Sequence, residues 1–163
     1  MGTRSMIAIQ NPITKTVKAV YCHWDGYLEH NGAILNEHYS NSPKVNHLIA
    51  MGDLSSLRSE IGEQHNFSRL DSTLPEEEYE RLYGDMCTFY TRDRGETAPY
   101  KKFETTADAV EHYTGAWCEY FYVFKYDEDL ETGKWYYKTR TGGWKSVAQA
   151  LNKLAKEEEV CSS

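Results

Sequence analysis

Trp117-Cys118-Glu119-Tyr120-Phe121-Tyr122-Val123-Phe124-Lys125-Tyr126 is the most strand-like stretch of this chain. Aromatic and β-branched residues suit a pleated, packed surface, and only Glu119 and Lys125 interrupt the run. The stretch is predicted to be a central strand. Asp127 to Gly133 turns the chain, and Lys134 to Arg140 returns as its antiparallel neighbour. Alternation puts rings on both faces of this hairpin: Trp117, Tyr120, Tyr122 and Tyr126 from one strand, Trp135, Tyr136 and Tyr137 from the other. One set can fill a core while the other stays partly exposed, as in ligand-stacking platforms and protein interfaces.

Working outward, Ser146-Val147-Ala148-Gln149 fits a capping box, and Val147, Ala148, Leu151, Leu154 and Ala155 share one helical face. Upstream, Thr105 to Asp108 caps a helix through Tyr113. At the start of the chain, Ser5 to Gln10 and Val17 to Trp24 read as a hairpin around an Asn-Pro turn. A helix capped by Asn31 follows, with Ile34, Leu35, His38 and Tyr39 on one face, then a second with Ser42 as cap and Pro43 at its first position. Leu54, Leu57 and Ile61 suggest further helical turns. Glu63 to Tyr83 reads as a loop with a short acidic helix near Pro75 to Leu82, and Met86 to Thr91 as a strand. The class is α+β: an antiparallel sheet of about five strands with helices packed on it. A hairpin followed by Asp25-Gly26-Tyr27 or Gly142-Gly143-Trp144 and then a helix hints at a ββα pseudo-repeat. Residues 1–156 form one domain, and 157–163 a frayed acidic tail.

The 163 residues carry 18 Lys and Arg against 25 Asp and Glu, a net charge of −7. A chain of this size buries roughly 70% of its extended surface, enough for a core without staples. Its acidity argues against direct nucleic-acid binding, which depends on Lys and Arg displacing phosphate counterions. Met1 to Glu60 is neutral, so the negative charge belongs to the rest. Cys22, Cys87, Cys118 and Cys161 are widely spaced, without metal-ligand patterns, and no metal or cofactor is expected. No apolar run reaches membrane-spanning length, and Met6 stands where a myristoylation signal needs Ser or Thr. A cytoplasmic location is expected.

Two strand ends concentrate candidate chemistry. In Tyr21-Cys22-His23-Trp24-Asp25-Gly26-Tyr27, alternation sends Tyr21 and His23 to one face and Val20, Cys22 and Trp24 to the other. Tyr21, His23, Trp24, Asp25 and Tyr27 can then surround a ligand, or serve as core, turn and hydrogen-bonding residues. In Tyr90-Thr91-Arg92-Asp93-Arg94-Gly95-Glu96, Arg92 and Arg94 offer planar forks suited to phosphate or carboxylate, unless they belong to a surface ion network. Arg4 joins the same site if its strand lies beside the others. Thr141-Gly142-Gly143-Trp144-Lys145-Ser146 lacks the glycines of a phosphate loop, although the helix start after it can still favour an anion. No nucleophile or zinc-protease motif appears, and no catalytic residue is assigned.

Met1-Gly2-Thr3-Arg4-Ser5, the Tyr21–Tyr27 motif and Gly52-Asp53-Leu54-Ser55-Ser56-Leu57 together resemble a family of small proteins of tailed bacteriophages and prophages, and Arg92 to Glu96 is similar to the same family. The resemblance implies a phage accessory protein acting on a host process. The expected function is antagonism of host antiviral defence by non-catalytic binding of a nucleotide-like anion, with Arg for phosphate and rings for the base. The alternatives are an acidic inhibitor of a host protein, or a small hydrolase or transferase using His23 and Asp25. Homodimerisation through an exposed aromatic face is compatible with each.

Overall fold

The computed structural model describes residues 3–162, with side chains through Glu159. Met1 and Gly2 of the lipidation-like stretch and the Cys161 thiol lie outside the described residues. The first half of the chain forms β1 (Ser5–Gln10), β2 (Val17–Cys22), a π-helical turn (Leu28–Gly32), α1 (Ala33–His38), α2 (Ser42–Ala50), β3 (Leu54–Ser56) and α3 (Glu76–Tyr83). The second half forms β4 (Thr88–Phe89), α4 (Tyr90–Arg94), β5 (Lys101–Phe103) and α5 (Thr106–Gly115). It ends with β6 (Tyr120–Tyr126), β7 (Gly133–Thr139), β8 (Lys145–Ser146) and α6 (Val147–Ser162).

Met6, Ile7, Ala8 and Ile9 of β1 are all buried. An apolar run without alternation is the mark of a strand covered on both faces. Ile7 and Ile9 enter one core cluster and Met6 and Ala8 the other, while on its edges β1 pairs antiparallel with β2, Ser5 opposite Cys22, and parallel with β6, Ser5 opposite Tyr120. The sheet runs β4-β3-β2-β1-β6-β7-β8, and β5 pairs with Val17–Ala19 of β2.

The α+β class holds, but the expected antiparallel sheet of about five strands is corrected to a mixed sheet of eight. β1–β6 and β2–β3 are parallel, and strands of two or three residues (β3, β4, β5 and β8) are too short to show a period of two. Leu54 enters β3 rather than a helix because it continues the β2 ladder opposite Cys22.

The pseudo-repeat is also excluded. Two hairpins arranged β2-β1-β6-β7, with β1 parallel to β6, are related by a half-turn about the strand direction, which exchanges the faces of the sheet. The helices after the two hairpins nevertheless share one face, where Leu35 of α1 and Leu154 of α6 pack in one cluster with Ile7, Val20 and Tyr122. The opposite face belongs to α5, whose Ala109 and Tyr113 cover Met6, Ala8, Ala19, Phe121 and Val123.

Polar groups in this core are paired. The Tyr122 hydroxyl donates to the Gly26 carbonyl at 2.6 Å, and the Trp135 indole to the Tyr39 carbonyl at 2.8 Å. Asn31 is fully buried rather than a helix cap, and its amide reaches Ser5 Oγ, Cys22 Sγ and the Trp24 carbonyl at 3.3–3.4 Å. Asn41, not Ser42, caps α2 by accepting from the Lys44 N–H at 3.0 Å. Thr105 and Ser146 cap α5 and α6 as expected, and α6 continues through Glu157–Glu159.

Candidate functional site

The β1–β2 ladder ends at the Ser5–Cys22 pair, so Arg4 and His23 follow directly past it on neighbouring strands. Tyr21 and His23 fall on one face, and the Tyr21 hydroxyl lies 2.7 Å from His23 Nδ1. Burial pushes the Tyr21 phenol up to about 12, against the opposing pull of Arg4. Burial and the Arg4 charge both lower the His23 pKa. These shifts favour a protonated phenol beside a neutral imidazole, in contact through Nδ1. Trp24 meets the His23 ring edge-on at 4.6 Å and is 44% exposed. Arg4 is not within ion-pair distance of a carboxylate among the described residues.

The other members of the expected site lie elsewhere. Asp25, in a left-handed conformation (φ 56°), gives its carbonyl to the Asn31 N–H and leads into the π-helical turn. Tyr27 packs against His30. His23 Nδ1 is taken by Tyr21, and among the described residues no hydrogen bond or ion pair joins His23 to Asp25. Arg92 donates to the Ile61 and Cys87 carbonyls at 2.9 and 3.0 Å and to both oxygens of Asp93, which consumes its fork inside the protein. Arg94 stacks over Phe67 and pairs with Glu96 at 3.3 Å. Arg4, Tyr21, His23 and Trp24 therefore come together, without Arg92 and Arg94.

A separate groove of about 840 Å³ opens between the end of the sheet and α6. It is built on an aromatic ladder. Tyr120 and Tyr122 stack at 6.3 Å with planes 9° apart, and Tyr122 stacks with Tyr137 across the β6–β7 pair at 6.2 Å. The buried Tyr122 hydroxyl bond fixes the middle rung. Trp144, 41% exposed, adds a ring to the lining. Lys134, Lys145 and Lys153 bring positive charge, and Lys134 also bonds Asp127 at 3.1 Å. Gln149, Lys153 and Glu157 line the groove from α6 because a spacing of four residues keeps them on one helical side. Glu29 enters from the π-helical turn; burial first, and then its negative charge, raise the pKa values of Tyr120 and Tyr137.

The aromatic hairpin and the Trp144-Lys145-Ser146 helix start were legible as candidate ligand features. The Gln149–Lys153–Glu157 spacing was present as well. Glu29 had no local signal, since a π-helical turn has no distinctive residue pattern. Among the described residues no group of His, Cys, Asp and Glu is arranged to hold a metal, and no helix is long and apolar enough to cross a membrane. Comparisons with protein-family models, with curated proteins and with solved structures found no significant match to this chain.

Proposed function

We propose that this protein binds a nucleotide-like anion without transforming it, and that the groove between β7, β8 and α6 is the seat. The observation that carries this reading is the meeting of ring faces and lysines in one concavity of about 840 Å³, within the usual size of small-molecule sites of roughly 300–1,000 Å³. Rings accept a flat base and lysines accept phosphate. The expected Arg fork is replaced by three lysines, which favour a flexible phosphate chain over one rigid geometry. In the phage setting implied by the resemblance, sequestering such a ligand in the host cytoplasm would silence an antiviral signal.

Calorimetric titration against a panel of linear and cyclic nucleotides tests the reading. Saturable binding is expected with at least one member, weakened about fivefold or more by Trp144→Ala if the ring stacks on the base. Flat titrations across the panel would overturn it.

A further inference from the structure

We infer that the groove selects guanine nucleotides, with Glu29 reading the base. This rests on the nucleotide reading above. Tyr120 stands opposite Thr139, and Tyr137 shares the face of β7 that Thr139 presents to the groove. Glu29 lies near Tyr120 and Tyr137, which places its carboxylate at the Thr139 end. Lys145 stands opposite Tyr137 on β8 and Lys153 lines the groove from α6, so one concavity offers the Glu29 acceptor to a base and two cations to a phosphate.

An ionised carboxylate only accepts hydrogen bonds, through two oxygens side by side. Guanine alone among the common bases presents two adjacent donors, N1–H and the 2-amino group, on its pairing edge. Adenine and cytosine present one amino donor beside a ring-nitrogen acceptor, and uracil a single N–H between two carbonyls. Each of these turns a lone pair toward a Glu29 oxygen.

The placement of Glu29 is built into the fold. The π-helical turn that carries it is a rare form that concentrates at functional sites. Its neighbour Leu28 is buried, and Asn31 anchors the turn to Ser5 and Trp24. Gly32 packs so closely that a Cβ there would meet Leu28 Cδ1 at 2.8 Å and the Tyr122 ring at 3.4 Å. The same ladder that offers stacking thus supports the carboxylate.

Calorimetry on the full chain with GMP, IMP and AMP provides the test. GMP is expected to bind about tenfold or more tightly than AMP, with IMP, which lacks the 2-amino group, between them. Glu29→Gln should bring GMP within about twofold of AMP, since the amide keeps one acceptor and adds a donor that suits the adenine edge, and Glu111→Gln on α5, away from the groove, should keep the preference. Equal binding of GMP and AMP by the native chain, or a preference that survives Glu29→Gln, overturns the guanine assignment and leaves the nucleotide reading standing. Loss of the preference in Glu111→Gln also overturns it. Absence of binding by all three overturns both. If Glu29→Gln fails to fold, as judged by circular dichroism, the GMP, IMP and AMP ranking of the native chain decides.

Discussion

Truncating Asp93 to Ala should destabilise the protein severely, and the reason is the role of Arg92. The Asp93 side chain is 0% exposed and that of Arg92 14%. The carboxylate accepts from the backbone N–H groups of His65 and Phe89 at 3.1 and 2.8 Å, and from Arg92 Nε and Nη2 at 3.0 and 3.2 Å. Removing it leaves a nearly buried guanidinium without a counter-ion and two N–H groups without an acceptor. Breaking a buried pair from one side costs about 3–5 kcal/mol. At about 2–4 °C per kcal/mol for a chain of this size, the melting midpoint should fall by roughly 6–20 °C. Urea unfolding followed by tryptophan fluorescence gives the free energy directly, provided the slope against denaturant is unchanged. Replacing both residues, Arg92→Met with Asp93→Leu, should recover much of the loss, because no charge is then stranded. A loss below about 1 kcal/mol for Asp93→Ala, the range of an exposed pair, would refute the structural assignment and return Arg92 to the ligand-binding candidates.

Tyr122→Phe removes the donor to the buried Gly26 carbonyl and should cost about 1–3 kcal/mol in the same unfolding assay; a neutral result would mean that water replaces the hydroxyl. Burial pushes the Cys22 and Cys118 thiols up to about 12, against about 8.5 in an unfolded chain. The folded state then holds protons that the unfolded state releases, so this contribution is complete below about pH 8.5 and is lost as pH rises toward about 12. Unfolding midpoints should drop between about pH 8.5 and 10 and drop less in Cys22→Ala; a flat profile in the native chain contradicts the assignment. Lys153→Glu reverses a charge lining the groove and should weaken nucleotide binding about tenfold, whereas Lys102→Glu on β5 should not. Equal effects of the two substitutions in calorimetry would point to a general charge effect instead of a site.

The sequence made the elements more legible than their arrangement. Aromatic and β-branched character marks β6 as a central strand, and the Thr105 and Ser146 caps locate two helix starts, because these signals are local. The β1–β6 partnership joins segments more than a hundred residues apart and has no local signature. Leu54 differs for a related reason: its apolar spacing with Leu57 and Ile61 fits a helix, but pairing beside Cys22 extends the backbone. At the candidate sites, alternation correctly put Tyr21 and His23 on one face. It could not reveal that Asp93, between Arg92 and Arg94, is buried and claims the first of them. An Arg-Asp-Arg run looks the same whether its carboxylate faces solvent or the interior.

The pairing of Ser5 with Tyr120 sets the order in which the molecule can be completed during synthesis. At about 5–20 residues per second, β1 leaves the ribosome many seconds before the strand that covers its second edge is made. The first hairpin must wait with Met6 to Ile9 open to pairing, and closure across so long a chain segment is entropically slow. A chain interrupted before Tyr120 would keep that apolar edge bare, a template for aggregation rather than a smaller folded unit.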